Sequence, residues 1–251
     1  MPIFIFFVSH WYLSLFSQTF LMHRYAAHGS FTMNKFWERF FFVFAYITMG
    51  SSYLSPRVYA IMHRMHHAFT DTPEDPHSPK YFSNVVAMMR HTAKVYVSIQ
   101  KKVKPINERF LKNTPKWDAM DDLGHSWYSR IGWGAVYVGI YVVFAPSLWW
   151  FLLLPIQFLM SPVHGAVINW YAHKYGYTNH KLNNTSKNLI PVDVLMLGES
   201  YHNDHHKHAS SINFGSRWFE IDPVYYVIRF FSSIGIVKLK VAPSVKVVSE
   251  F

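Results

Sequence analysis

Two long apolar segments dominate the hydrophobic pattern of this 251-residue chain. Residues 1–22 contain no Lys, Arg, Asp or Glu, and neither do residues 131–173. About 20 such residues cross the hydrocarbon of a bilayer as a helix, so the second segment is long enough for two crossings. The sequence APS at 145–147 can form the turn of a helical hairpin. We therefore predict three transmembrane helices, at about residues 2–22, 128–145 and 148–172.

Two shorter apolar segments predict helices at the membrane surface. FFFVFAYITM at residues 40–49 is too short to cross a bilayer, and VYYVIRFFSSIGIV at 224–237 contains an arginine. We predict interfacial helices at about 36–55 and 224–237. A secretory signal is the alternative to the first crossing, but residues 1–22 have neither a basic start nor a small-residue cleavage site.

Composition and charge favour the membrane interpretation. Only 15% of the residues are charged, against about 25% in soluble domains, and the net charge is +10. Such a basic excess can indicate binding to nucleic acid or to an anionic membrane surface. Because it occurs here together with long uncharged segments, we favour the membrane and expect no nucleic-acid partner. No Lys or Arg precedes Arg24, whereas residues 56–130 contain 12, so the N-terminus should lie outside and the polar bulk in the cytoplasm.

The predicted fold class is therefore an all-α integral membrane protein. We expect about three transmembrane helices, interfacial helices and a cytoplasmic helical cap that holds a histidine-rich metal site. The chain should form a single domain over residues 1–251. A bacterial inner membrane is the expected location.

The histidines are concentrated in three motifs, in a chain that has no cysteine. These are HRYAAH (His23, His28), HRMHH (His63, His66, His67) and HNDHH (His202, His205, His206), and NWYAH adds Asn169 and His173. Without thiolates, any metal must be bound by nitrogen and oxygen. We predict structural roles for the others: His10, His77, His91, His125, His164, His180 and His208.

Helical spacing gives the motifs two neighbouring targets. Residues i and i+4 lie about 40° apart around an α-helix, whereas i+3 and i+4 lie about 100° apart. His63 and His67 can therefore bind at one point and His66 beside it, and HNDHH repeats this arrangement. His23 and His28 are five residues apart, so we expect them to diverge or to lie on either side of a helix end. The pattern predicts a two-metal centre.

Iron is the metal that this ligand set favours. Zinc usually has four ligands, whereas nine histidines provide four or five nitrogens for each of two metals of octahedral type. Neutral imidazoles leave a high positive charge on the centre, which suits the oxidation of unactivated C–H bonds in lipid. The hairpin crosses twice between the second motif and His173, so all motifs can lie at one membrane face.

Acidic residues beside the motifs are candidates for orienting the ligands. Asp71 and Asp75 follow the second motif, Glu199 precedes the third and Asp204 lies inside it. A metal-bound imidazole usually donates its other N–H to a carboxylate, so we expect these residues to accept such bonds. The alternative is that they form turns and cap helices.

HRYAAH, HRMHHAFTDTPEDPHSP and GESYHNDHH, in this order, resemble the motifs of membrane fatty-acyl desaturases of the stearoyl-CoA desaturase type, from His23 to about Ser211. The resemblance implies a non-haem diiron enzyme that uses O2 and two electrons to introduce a cis double bond, expected at carbon nine, into a long-chain acyl substrate. Acyl-CoA is the expected carrier, with acyl carrier protein or a lipid as alternatives. It further implies one iron bound by His23, His63, His67, His202 and His206, and another by His28, His66, His173 and His205, with Asn169 binding a bridging water.

The resemblance also implies partners. Family members usually have a further transmembrane helix before the first motif, so we expect membrane lipid or a homo-oligomer to cover the face left open here. Too few residues follow residue 211 for a fused electron-donor domain, so we expect a separate electron-donor protein. KKVK at 101–104 is a candidate contact for the phosphates of CoA or lipid, although positive-inside charge also explains it.

Two alternative functions remain open at this point. One is a membrane hydroxylase or ketolase with the same histidine chemistry, acting on another lipid. The other is a non-catalytic metal-binding membrane protein or a transporter. Transport requires ionisable groups at mid-membrane, whereas the motifs here lie at predicted helix ends.

Overall fold

The computed structural model describes residues 1–103 and 105–240, and these residues are mostly helical. Lys104 and residues 241–251, which the predicted single domain includes, lie outside the described residues. The α-helices are Pro2–Phe16, Lys35–Met49, Pro56–Phe69, Val85–Gln100, Glu108–Leu111, Asp118–His125, Trp127–Phe144, Leu154–Phe158, Met160–Ala166, His202–Lys207 and Pro223–Ser233. Two π-helices, Ser17–Ala27 and Val167–Tyr171, and three 3₁₀-helices, Gly50–Ser52, Pro79–Tyr81 and Leu148–Leu153, complete the helical part.

The first helix is continuous from Pro2 to Ala27 and changes its winding on the way. Its α-helical half starts with proline in the first turn, where no N–H is needed, and exposes the large apolar side chains of Phe4 and Ile5. Its π-helical half is buried at almost every position. Within the described part of the chain, this is the one helix that is long and apolar enough to cross a bilayer by itself.

The predicted hairpin is present as helical segments, but its two crossings are not established. The first segment is the helix Trp127–Phe144, and the turn falls at residues 145–147 as predicted. The second is broken, because Leu148–Phe158 and Met160–Tyr171 meet at 71° and could form one crossing only together. Residues 1–103 and 105–240 therefore contain one candidate crossing, or two with the bent pair, where the sequence predicted three.

Proline explains why the second segment is not a straight helix. Pro162 has no N–H, so it cannot donate to the carbonyl of Phe158 one turn earlier. That carbonyl instead accepts a hydrogen bond from the hydroxyl of Ser51 at 3.1 Å. Ser51 belongs to the 3₁₀-helix Gly50–Ser52, so the turn after the second long helix packs against the break.

The segment predicted as an interfacial helix at 36–55 is helical over Lys35–Met49 and then forms the 3₁₀-helix. Asn34 caps its start by accepting a hydrogen bond from the backbone N–H of Trp37 at 3.0 Å. One side of the helix is buried, whereas Phe36 and Ile47 are exposed by 68% and 53%. Its two faces therefore meet different surroundings.

The fold is not entirely helical, which corrects the all-α prediction. Phe31–Met33 pairs antiparallel with Val237–Leu239 in a two-stranded sheet. The predicted helix at 224–237 therefore ends at Ser233, and the chain returns to the first helix as a strand. The core beneath combines side chains from these elements and the first two long helices: Phe20, Phe31, Phe41, Val224 and Ile228.

Candidate metal centre

The first histidine motif lies at the end of the π-helix Ser17–Ala27. A π-helix is closed by hydrogen bonds from residue i+5 to residue i, which places these two residues above one another. The N–H of His28 donates to the carbonyl of His23 at 3.1 Å, and the two rings are 5.0 Å apart. The expected divergence of the two is therefore wrong, because it assumed α-helical winding; the helix does end between them.

The second motif follows the predicted α-helical geometry. It lies on the helix Pro56–Phe69, whose start is capped by Ser55. The Nε2 atoms of His63 and His67 are 3.0 Å apart, whereas the ring of His66 lies beside them, 6.1 Å from that of His63.

The third motif repeats this arrangement on the short helix His202–Lys207. The Nε2 atoms of His202 and His206 are 3.1 Å apart, and the ring of His205 lies 6.0 Å from that of His202. His173, just after the π-helix Val167–Tyr171, brings its Nε2 to 2.9 Å from that of His202. Four separate parts of the chain thus converge.

The nine histidines form two groups, within each of which one nitrogen per ring lies less than 4.8 Å from all the others. The first group contains His23, His28, His63, His67 and His205. The second group contains His66, His173, His202 and His206. The groups are adjacent, since the rings of His67 and His206 stack at 4.5 Å.

This division differs from the one that the family resemblance implied. His205 belongs with His63 and His67, whereas His202 and His206 belong with His66. The reason is that the two HxxHH motifs face each other, so the i/i+4 pair of each helix meets the i+3 histidine of the other. His67 and His205 approach to 2.9 Å, and His66 and His206 to 3.2 Å. Each HxxHH motif therefore serves both groups, and the π-helix segment adds His23 and His28 to the first.

The spacing of the nitrogens fits metal coordination. Metal–nitrogen bonds of about 2.0–2.1 Å at right angles separate neighbouring nitrogens by about 2.9 Å, and tetrahedral angles separate them by about 3.4 Å. Neighbouring Nε2 atoms in the two groups are 2.9–3.2 Å apart. These distances are short enough for the nitrogens of each group to bind one ion together.

Burial favours the neutral, metal-binding form of eight of the nine imidazoles. Burial, reinforced by neighbouring histidines, lowers the pKa well below its usual value at His28, His63, His66, His202, His205 and His206. Burial also lowers the pKa of His173, and that of His67 to about 2. These rings are therefore neutral at physiological pH, with a lone pair available to a metal.

Two of the four predicted carboxylates contact one of the nine grouped histidines directly, whereas Asp204 contacts His180, which lies outside both groups. Glu199 lies 2.7 Å from Nδ1 of His23, and Asp75 lies 2.9 Å from Nδ1 of His66. Each carboxylate accepts a hydrogen bond from the N–H at Nδ1. This leaves the lone pair on Nε2, which faces the group. Asp75 also accepts the backbone N–H of Asp71 and His77, so it forms the turn as well.

The third carboxylate, Asp71, reaches the histidines through a hydroxyl. Nδ1 of His173 is 3.1 Å from Oγ1 of Thr185. Asp71 in turn accepts from Oγ1 and from the backbone N–H of Thr185, at 3.0 and 2.6 Å. Thr185 therefore passes the orienting effect of Asp71 to His173, and no sequence motif marked it.

Asn169 lies beside both groups rather than among the ligands. It lines a cavity of about 50 Å³ together with His23 and His63 of the first group and His202 of the second. A cavity of this size with several polar side chains in its lining can hold a water molecule. This position suits the expected role of Asn169 in holding a water near both groups.

Most histidines outside the two groups have protein partners. Contacts join His10 to Tyr137, His164 to Gln18, His125 to Tyr96 and His180 to Asp204. His77 differs, because it is buried 4.3 Å from the ring of His66, and together with His66 and Asp75 it forms a third possible ligand set. Within the described part of the chain its ring nitrogens have no hydrogen-bond partner.

Comparison with known proteins gives one family. The model of the family described as "Fatty acid desaturase" matches residues 1–231, which include all nine histidines. Delta-9 acyl-lipid desaturases 1 and 2 of Arabidopsis thaliana are 31% and 30% identical, over 91% of this chain and 70% and 69% of theirs. The sn-1 stearoyl-lipid 9-desaturase of Synechocystis sp. is 29% identical over 88% of this chain and 66% of its own.

Proposed function

Because this chain belongs to the fatty acid desaturase family, as its histidine motifs indicated, we propose that it introduces a cis double bond at carbon nine of a long-chain fatty acyl group. The reaction consumes O2, two electrons and two protons and releases two molecules of water. The observation that carries the proposal is the convergence of nine histidines into two adjacent groups near the end of an apolar helix. Neither a hydroxylase nor a non-catalytic protein is favoured by the relatives' names.

We propose that the two groups hold a pair of iron ions. When bound, the irons supply the oxidation by O2 that breaks two unactivated C–H bonds. The surrounding protein orients the ligands, because Glu199, Asp75 and Thr185 accept hydrogen bonds from the Nδ1–H groups of His23, His66 and His173. Asn169 is proposed to hold a water between the groups.

The position of the double bond and the carrier are supported by the relatives. All three are named for action at position nine, and their names specify acyl chains on lipid. We therefore propose carbon nine, and a lipid carrier in place of the acyl-CoA that the sequence predicted.

A second cavity is consistent with a lipid carrier. Its volume is about 600 Å³, and Arg57, Lys101 and Lys102 line it together with Asp118 and Asp122. CoA carries several negative phosphate charges and no cation, so these aspartates would repel it, whereas a zwitterionic head group could contact both signs. Lys104, the end of the basic run in the sequence, lies outside the described residues.

The family is membrane-associated, and we propose a specific topology for this chain. The polar part with the histidine groups lies on the cytoplasmic side of a bacterial inner membrane, and the N-terminus lies outside. The absence of Lys and Arg before Arg24 supports this orientation. The three crossings, a separate electron-donor protein and a homo-oligomer remain part of the proposal.

The test is expression in a host that lacks its own desaturase, with gas chromatography–mass spectrometry of the lipids and location of the double bond. We expect a cis-9 monounsaturated acyl chain on membrane lipid. His66→Ala should abolish it while the protein stays in the membrane, and His91→Ala, outside both groups, should not.

Other products would overturn the proposal. A hydroxylated lipid would assign the chain to the hydroxylases, and product confined to the CoA pool would refute the lipid carrier. Purified protein with a single zinc in place of two irons would refute the metal assignment.

A further inference from the structure

Next to the first histidine of the first motif lies a completely buried arginine. The guanidinium of Arg24 has no solvent-accessible surface and lies 3.7 Å from the centre of the Phe214 ring. It donates from Nε to the carbonyl of Ile212 at 3.2 Å and from Nη1 to Thr19. Burying a guanidinium is costly unless carboxylates balance its charge, so its acidic partners matter.

Two carboxylates hold Arg24 from opposite sides. Asp222 accepts from Nη2 at 2.6 Å, and Glu199 accepts from Nη1 at 3.3 Å. Both carboxylates are buried, with side-chain exposures of 0% and 8%. One cation thus lies between two anions, and its second anion is the carboxylate that accepts the N–H of His23.

Asp222 is fixed by contacts that have nothing to do with charge. Its Oδ1 caps the helix Pro223–Ser233 by accepting from Tyr225 N at 3.1 Å, and its Oδ2 accepts from Phe214 N at 2.9 Å. Gly198, at φ +93°, lets the chain pass so close that an added Cβ would lie 2.6 Å from Oδ1. The carboxylate therefore has one available position.

A continuous chain of contacts runs from Asp222 to the first group. It passes through Arg24 to Glu199, and from Glu199 to His23, whose Nε2 lies 2.9 Å from that of His205. Phe214 adds a second route, because its ring packs 4.4 Å from that of His205. The side-chain contacts that start at Asp222 reach the second group only one step later, by way of the first-group residue His205, whose ring lies 5.9 Å from that of His206.

We propose that Asp222 is a positioning residue for the first iron, acting through Arg24 and Glu199. Asp222 pairs with one edge of the Arg24 guanidinium and so neutralises part of its charge. This weakens the electrostatic pull of Arg24 on the carboxylate of Glu199. Glu199 then keeps more of its negative charge for the N–H of His23, which makes that imidazole a stronger electron donor. This inference rests on the proposed function, since it presupposes an iron pair.

The test is Asp222→Asn, because asparagine caps helices as well as aspartate does. It removes the charge and puts an amide nitrogen in place of the oxygen that accepts from Arg24 and Phe214. The variant and the wild type are loaded with ⁵⁷Fe, and Mössbauer spectra and the reduction potential of the centre are measured. We expect two irons per chain, an altered signal from one iron only, a higher reduction potential, and kcat lower by about tenfold with KM unchanged. Glu108→Gln removes one negative charge from an exposed position that lies outside both histidine groups and both cavities, and it should change none of these values.

The outcomes are distinct. A wild-type chain without an iron pair refutes the proposed function, and this inference with it. An intact wild-type centre with the same spectrum and potential in Asp222→Asn refutes this inference alone, even if activity falls. If Asp222→Asn does not fold, Arg24→Lys keeps the charge but cannot hold both carboxylates. The same one-iron change is then expected, and an unchanged spectrum refutes the inference.

Discussion

The two histidine groups have similar ligands but different supports. In the first group, His23 lies on a π-helix continuous with the candidate membrane crossing and His28 directly follows it, and the orienting carboxylate Glu199 is held by buried Arg24. In the second group, His66 and His173 depend on residues in irregular segments between helices. The first group is therefore supported by a π-helix and a buried ion pair, whereas the second depends on loop side chains to orient two of its four ligands.

The loops that support the second group are shaped by local hydrogen bonds. Asp71 has a φ of +62°, a conformation that aspartate and asparagine tolerate better than most residues. Its carboxylate joins the segment after the second motif to Thr185, more than a hundred residues away. Five ligands and a helical support should retain a metal more firmly than four ligands and two loops. The second group is thus the more sensitive to loss of a supporting residue.

Removing one ligand from each group is the strongest test of this difference between the two groups. His63→Ala leaves four histidines in the first group, and His202→Ala leaves three in the second. We expect both to lower desaturation more than a hundredfold, because the reaction needs both metals. Only His202→Ala should also lose about one iron per chain, measured by plasma mass spectrometry of purified protein.

His91→Ala, outside both groups, should keep full activity and both irons. Unsaturated product from either ligand variant would contradict the ligand assignment. Equal iron loss from both variants would be compatible with the two ligand sets. It would refute the expected difference in iron retention between the two groups.

The sequence predicted which histidines converge, but not how they are divided. The i, i+3, i+4 spacing of HRMHH and HNDHH correctly separates His66 and His205 from their neighbours, since this is local helix geometry. Which pair of one motif meets the single histidine of the other depends on how the two helices face each other, and no local pattern contains that. The π-helical winding that joins His23 to His28 is likewise a product of packing, because that half of the helix is buried almost throughout.

The fold shows the same limit. Apolar run length predicted helices in all three long segments, and APS marked the turn. It did not predict the 71° bend, which Pro162 explains, nor the strand Val237–Leu239, whose partner lies some two hundred residues earlier. Buried Arg24 was visible as the first charge after an apolar run, but its partner Asp222 could be identified only in three dimensions.

Removing a carboxylate from the second group should have an intermediate effect. Asp75→Asn loses the charge that holds the N–H of His66, while its amide oxygen can still accept one of the two backbone N–H groups of the turn. We expect iron affinity and activity to fall about 10- to 100-fold in a folded protein. Iron content is measured after dialysis against a graded series of chelator concentrations.

Glu74→Gln is the matched control, because this exposed neighbour of Asp75 carries the same charge in the same loop. Wild-type iron retention in Asp75→Asn would show that Asp75 only shapes the turn, which is the alternative that the sequence left open.

The smallest effect is expected at Thr185, where a neutral hydroxyl lies between His173 and Asp71. Thr185→Val removes Oγ1 but keeps the backbone N–H that donates to Asp71 at 2.6 Å, so the loop should keep its conformation. One hydrogen bond contributes about 0.5–1.5 kcal/mol, which corresponds to about a twofold to tenfold loss of iron affinity at the second group. The chelator series used for Asp75→Asn measures this loss of iron affinity, and Thr185→Ser, which keeps the hydroxyl, should match the wild type.

A loss in Thr185→Val as large as that of Asp75→Asn would mean that Asp71 acts on His173 with the full strength of a direct carboxylate. Equal retention in the valine and serine variants would mean that four imidazoles hold the second metal without help from this loop.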